Sequence, residues 1–192
     1  MRVSVNLTWI APGRVGGSEE YLVRQLLGLA EPSGVEIVAT RSFHVAHPEL
    51  AERFDTVESP IDRDNRALRI VTEHTWMAAR TRHANLVHHG GGTAPLVGRR
   101  PVVLTIHDLQ YLSLPGYFSA ARRHYLERIV PRSVRDAAVV AVPSEFVRAS
   151  VVIWWAFCVA SSIVRLASAV ASVTSTSDCS VAICTRRITA GL

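Results

Sequence analysis

The segment Pro101–Ile106, PVVLTI, constrains this chain more than any other. It is a continuous apolar run rich in β-branched residues. Strands of this kind are buried on both faces, as in parallel sheets covered by helices. The residues around it supply the alternation of strands and helices that such a sheet requires. Arg2–Trp9 reads as a first strand, because Val3, Val5 and Leu7 alternate with Ser4, Asn6 and Thr8. A secretory leader has a continuous apolar core, so from that alternation none is expected. Ser18–Ala30 reads as a helix, with Tyr21, Leu22, Gln25, Leu26 and Leu29 on the 3.6-residue period. Ser18 is placed to cap its first turn, and Glu19 and Glu20 suit the positive end of its dipole.

Val35–Thr40 is a second strand, His47–Phe54 a short helix and Thr56–Glu58 a short strand. Asn65–Arg82 is a longer helix and Asn85–His88 a further strand. Ser119–Ala137 is helical with a break or kink expected at Pro131. Ala138–Val142 is the last clear strand, and Ser144 is placed to cap a helix running onward. The expected fold class is α/β: a Rossmann-like parallel sheet with helices on both faces.

A change of composition falls near residue 150. Up to Ser150 the chain holds all 9 Pro, all 8 His, 10 of the 11 Gly and 15 of the 16 acidic residues. Beyond it lie one Gly, one acid and neither Pro nor His, so the turn punctuation of a folded domain is missing. The expected division is therefore a domain over residues 1–150 and an anomalous apolar tail over 151–192. Three readings compete for the tail. It is the product of out-of-frame translation in GC-rich DNA, which is the favoured reading, or a core helix, or a membrane anchor over 151–173. The uninterrupted apolar stretch Val151–Val164 is shorter than the ~20 residues a bilayer needs.

All 21 basic residues are Arg. An all-Arg set points to codon usage rather than to a selected patch, so the net charge of +5 reads as dispersed surface charge. No nucleic-acid partner is expected. Cys158, Cys179 and Cys184 form no CxxC pair and have no His nearby, so no metal site is expected. The lack of Cys before residue 150 suits a reducing cytoplasm.

In open α/β sheets ligands bind beyond the C-terminal ends of the strands. That rule selects four loops: Ile10–Gly17, His88–Ala94, His107–Pro115 and Pro143–Glu145. Gly16 and Gly17 precede a helix start, where glycine lets a ligand approach backbone N–H groups. Their G-x-x-G-G spacing is not the dinucleotide fingerprint, and the second strand leads to Arg41 rather than to an acid for a ribose. The plain alternative is a tight turn. In HHGGGTAP, an oxyanion loop of the esterase kind would need a G-x-S-x-G elbow, which the chain lacks. A flexible turn with two imidazoles is the plain reading there. His107 and Asp108 follow the most buried strand. A histidine there can hydrogen-bond a sugar hydroxyl or phosphate or stabilise developing charge, and Asp108 can orient it. Alternatively the pair simply ends the strand.

The segments GGSEEYLVRQLL, VVLTIHDLQYLSLPGYFS and ARRHYLERIVPRSVRDAAVVAVPSEFVR resemble, in order and spacing, the N-terminal domain of family 4 glycosyltransferases. These enzymes have two Rossmann-like domains, the GT-B arrangement. The resemblance covers about residues 1–150. It implies transfer of a sugar from a nucleotide-diphosphate sugar to an acceptor, without an essential metal or a further cofactor. It implies that Gly16 and Gly17 belong to the loop closing over donor and acceptor, and that His107 is the active-site histidine with Asp108 its motif neighbour. Ser144 and Glu145 match the end of the domain, near the interdomain crossing. The acceptor is met mostly by this half. The donor nucleotide is gripped by a second domain carrying basic residues and a glutamate pair, a pattern the tail does not show. The expectation is a truncated glycosyltransferase, inactive alone, that binds nucleotide sugar only if a second domain is supplied. The alternatives are a non-catalytic α/β module needing a separate partner and a small membrane-associated protein. A cytoplasmic location is expected, with attachment at the inner face of a membrane as its variant.

Overall fold

The computed structural model describes residues 1–14, 16–62, 66–95, 101–162 and 182–185. Its centre is a seven-stranded sheet. The strands are β1 (Val3–Asn6), β2 (Val35–Ala39), β3 (Asp55–Glu58), β4 (Leu86–His89), β5 (Val102–Thr105), β6 (Val139–Val142) and β7 (Ala182–Thr185), in the spatial order β3-β2-β1-β4-β5-β6-β7. β1 to β6 run parallel, and β7 joins β6 antiparallel. This is the Rossmann-like order, with its switch point between β1 and β4, where the connections leave in opposite directions. There Asn6 stands in register with His89 and Val5 with His88.

Helix α1 (Gly17–Leu27) packs Leu22, Val23 and Leu26 against Val5, Ile37 and Ala39 on one face of the sheet. Burying a Leu or Val side chain contributes on the order of 1.5–3 kcal/mol. Val38 and Val87 meet Met77 and Ala84 in a separate cluster. Thus β2 sends Ile37 and Val38 to different cores, as a doubly covered strand must. A third core joins Leu104, Val142, Val130 and Val134 to Val147 and Val151.

Several boundaries differ from the sequence reading. β1 stops at Asn6 rather than Trp9, because Asn6 Oδ1 accepts from Thr8 N at 3.1 Å and the chain turns, with Ile10 N bonded to Leu7 O. Ser18 does not cap α1. The N-cap is Gly16, at φ 63°, a left-handed conformation that glycine adopts without strain. A helix not expected from the sequence, α2 (Arg41–Ala46), precedes the short one expected at His47–Phe54, which spans α3 (Pro48–Ala51). Thr40 caps the first, its Oγ1 accepting from Phe43 N at 3.3 Å, and Pro48 opens the second.

The long helix begins as α4 (Arg66–Thr72), widens into a π-helical turn at Glu73–Met77 and ends as α5 (Ala78–Arg80) with a 3₁₀ turn at Thr81–His83. After β5 come α6 (Gln110–Ser113) and a 3₁₀ turn at Pro115–Tyr117. Helix α7 (Ala120–Asp136) runs unbroken through Pro131. Burial of Ile129, Val130, Ser133 and Val134 on both sides of the proline offsets the hydrogen bond that its ring removes.

Helix α8 (Glu145–Ser162) crosses the composition boundary at residue 150. Val151 is buried, and Trp154 and Trp155 pack against the third core. No helix among the described residues is long and apolar enough to cross a membrane. Residues 163–173 of the segment read as a membrane anchor lie outside the described residues.

Candidate functional site

The C-terminal ends of β1, β4 and β5 open into a cleft of about 760 Å³. Its walls come from the loop after β1 (Thr8, Trp9, Ala11, Arg14), the α4–π turn (Arg69, Ile70, Glu73), the glycine loop after β4 (Gly91–Thr93), the β5 end (Ile106–Asp108) and the segment 110–130. Aromatic faces with a few convergent polar groups form the usual lining of a small-molecule site.

His107 is held from three sides. Its Nε2 lies 2.9 Å from Gly90 O. A carbonyl only accepts, so Nε2 carries the proton and Nδ1 is the acceptor nitrogen. The ring sits 5.7 Å from Trp9 and packs edge-on against Tyr21 at 5.6 Å. Burial lowers its pKa from the ordinary 6.5, opposed by the Gly90 carbonyl and by Asp108. His107 is therefore a neutral imidazole at neutral pH, suited to a hydroxyl rather than to charge-pairing with phosphate.

The glycines of HHGGG are a packing requirement. A Cβ on Gly90 would stand 2.8 Å from Leu22 Cδ1, and one on Gly91 would stand 2.7 Å from Trp9 Cγ. Their bare backbone lets Trp9 lie across the loop and brings Gly90 O to His107. Gly92 turns the chain at φ 76°.

The two histidines of that segment serve different partners. His88 Nε2 lies 2.7 Å from Thr105 Oγ1. Burial first, then the neighbouring His89 and His107, pull its pKa down to about 4. His89 belongs to a buried network. Thr8 N and Oγ1 both donate to Asn6 Oδ1, at 3.1 and 2.7 Å. The backbone donor settles the orientation of the Asn6 amide, so Nδ2 faces Glu73 Oε1 and His89 Nδ1, both at 3.0 Å. His89 Nδ1 then accepts, and its proton is on Nε2.

The other expected residues lie around this centre. Asp108 lines the cleft, and its Oδ1 accepts from Gln110 N at 3.0 Å, starting α6. Gly16 and Gly17 do not line it. They border it through Arg14 and Ser18, which do, and a Cβ on either glycine would meet nothing within 4 Å. Glu19 holds this loop: its Oε2 accepts from Gly13 N at 3.0 Å, and its Oε1 meets His47 Nε2 at 2.7 Å. Ser144 stands away from the cleft lining and caps α8, its Oγ accepting from Val147 N at 3.3 Å. Glu145 beside it bonds Arg148, and that bond holds its carboxyl below the usual range.

Among the described residues no group of three or more His, Cys, Asp or Glu is placed to hold a metal ion. The side chains of Cys158, Cys179 and Cys184 lie outside those residues.

Sequence reasoning missed Glu73, Asn6, Trp9 and Tyr125. Glu73 reads as one polar position on an amphipathic helix, and Asn6 as the outward residue of an alternating strand. Nothing local marks either as buried. Trp9 carried one signal, a large aromatic directly after the first strand, where ligand loops begin.

No protein-family profile matches the chain, and no curated protein matches it. Among solved structures, two crystal structures of HepE from Anabaena are similar, one in complex with UDP and one in complex with UDP and glucose. Each matches at 16% identity and a TM-score of 0.47 and covers 73% of this chain. The chain spans 37% of the length of those structures.

Proposed function

We propose that residues 1–150 form the acceptor-side domain of a glycosyltransferase, which transfers a sugar from a nucleotide-diphosphate sugar to an acceptor hydroxyl. The observation that carries this reading is His107, locked by Gly90 O between Trp9 and Tyr21 at the wall of the switch-point cleft. The motif resemblance around T-I-H-D-L adds to it. In this reading Nδ1 of His107 meets a hydroxyl of the acceptor or of the transferred sugar. Asp108 steadies the backbone that presents it. The Gly16–Gly17 loop closes over the sugar, and Ser144 starts the helix nearest the crossing to a second domain.

That second domain supplies the grip on the donor's diphosphate. Positioning in such a cleft depends on both walls, so residues 1–150 alone transfer no sugar. The reaction calls on no metal or organic cofactor in this reading. The rival reading is a non-catalytic α/β module that requires the same partner domain.

The test is a titration of the full chain, followed by ¹H–¹⁵N shifts, with methyl α-D-glucopyranoside and methyl α-D-mannopyranoside, and separately with UDP-glucose and GDP-mannose. The expected result is weak saccharide binding that falls at least ~10-fold in His107→Ala, the loss of about one good hydrogen bond. Nucleotide sugars are expected to bind no more tightly than the saccharides. Tight nucleotide-sugar binding without saccharide binding would reverse the assignment of this half.

A further inference from the structure

Three arginines from three different elements line the cleft: Arg14 from the loop after β1, Arg69 from α4 and Arg122 from α7. The sequence reads the excess positive charge as dispersed, and these three depart from that reading by gathering at one cavity. Two carboxylates, Glu73 and Asp108, line the same space, and protein donors hold both. Asn6 Nδ2 lies 3.0 Å from Glu73 Oε1, and Gln110 N donates to Asp108 Oδ1 at 3.0 Å. With His107 neutral, the lining carries three positive charges against two negative ones.

Neighbours set two of the cations in place. Arg69 Nη1 donates to Trp9 O at 3.1 Å, and the Trp9 ring lies 5.7 Å from His107. Arg69 is thus tied to the loop that flanks the histidine. Arg122 Cζ stands 4.5 Å over the centre of the Phe118 ring, which also lines the cleft. Stacking covers one face of a guanidinium and leaves its N–H groups directed in the plane of the fork. That geometry meets a carboxylate or a phosphate edge-on.

The neutral imidazole and the guanidinium groups call for different partners, a hydroxyl for the first and an oxyanion for the second. A ligand that carries both uses the whole lining. A neutral saccharide leaves the arginines unused, and a bare anion leaves the histidine unused. Glu73 and Asp108 turn the oxyanion away from themselves and toward the arginines.

We propose that the acceptor of this domain is an anionic polyol, a sugar or other polyhydroxy compound bearing a phosphate or a carboxylate. Arg14, Arg69 and Arg122 bind its oxyanion while His107 meets one of its hydroxyls. This inference rests on the acceptor-side reading above and names its substrate class.

The test is a titration of the full chain at about 20 and about 200 mM salt, a range over which screening grows strongly. The probes are D-glucose 6-phosphate, D-glucuronate, methyl α-D-glucopyranoside, inorganic phosphate and UDP-glucose. The expected result is that at least one of the two anionic sugars binds at least ~10-fold tighter than the neutral glucoside at low salt and loses most of that margin at high salt. Which of the two gains the margin tells phosphate from carboxylate. Arg122→Gln and Arg69→Gln each weaken the anionic sugar at least ~10-fold and leave the neutral glucoside within ~2-fold, as the loss of a charged hydrogen bond does. Arg122 is exposed on α7, so its variant carries the test if Arg69→Gln, which also releases Trp9 O, does not fold. If the anionic sugars bind no tighter than the neutral glucoside, or the variants weaken all three alike, the anionic acceptor is overturned and the acceptor-side reading stands. Inorganic phosphate binding as tightly as glucose 6-phosphate also overturns it, since the hydroxyls then contribute nothing. If no sugar binds, whether or not UDP-glucose does, the acceptor-side reading falls and this inference with it.

Discussion

Acidification should destabilise this protein through His88, and the size of the effect follows from its environment. Both states carry a neutral His88 above its ordinary pKa of 6.5. Below 6.5 the unfolded chain takes up a proton that the folded chain refuses until about pH 4, because the buried ring cannot be charged without losing its hydration. The unfolded state binds more protons across that window, so stability falls as pH falls from about 6.5 to about 4. The full difference corresponds to about 3 kcal/mol, of which about 2 kcal/mol is lost by pH 5. For a domain with a stability of roughly 5–15 kcal/mol this is a large share. His107, lowered for the same leading reason, adds in the same direction.

The assay is urea unfolding at pH 7.5, 6, 5 and 4.5, for the wild type and for His88→Gln. Glutamine retains a polar partner for Thr105 Oγ1 but has no titration in this range. The variant should be less stable at pH 7.5, because the fit to Thr105 is disturbed, but its loss between pH 7.5 and 5 should be about 2 kcal/mol smaller than that of the wild type. Parallel curves for the two proteins would refute the reasoning, since the pH dependence would then arise elsewhere.

Gly91→Ala forces a Cβ to within 2.7 Å of Trp9 Cγ. It should cost about 1–3 kcal/mol in urea unfolding and shift the tryptophan emission, because the indole must move. An unchanged midpoint would mean that Trp9 does not lie across the glycine loop. Glu19→Ala removes the acceptor of Gly13 N and the partner of His47. It should cost about 1–3 kcal/mol and raise amide exchange in residues 11–17 more than in the sheet.

The sheet was legible because its signals are local. PVVLTI declared a doubly buried strand, and that strand is β5, with Leu104 and Thr105 wholly buried. The four ligand loops were placed by the strand-end rule, and three of them contribute to one cleft. Element ends were harder, because side-chain-to-backbone bonds decide them. Asn6 ends β1 by turning Thr8 back on itself, and Thr40 leaves its strand to cap α2. Alternation and periodicity are blind to both. The π turn at Glu73–Met77 is invisible for a related reason: it adds width to a helix without changing which residue types the helix uses.

The candidate site was legible only where a motif marks it. His107 stood out at a strand end, and the structure places it at the cleft wall. Glu73 did not stand out, because its burial is created by β1 and β4, 67 and 16 residues away from it at Asn6 and His89. Yet the buried polar atoms are distributed unevenly, and that distribution carries information. At the opposite end of the sheet, Ser4 Oγ donates to Glu36 Oε1 and Arg80 Nη2 to Glu36 Oε2, so the carboxylate of Glu36 is satisfied at both oxygens. At the switch point the carboxylate of Glu73 is satisfied at one oxygen only. The two glutamates also stand on different elements. Glu36 is on β2, where Ser4 of the neighbouring strand is its register partner, whereas Glu73 is on the π turn and meets Asn6 and His89, the last residues of β1 and β4. A partner set by strand register follows once two strands are paired. A partner set by a helical turn packed across two strand ends does not, because neither strand's own pattern records it.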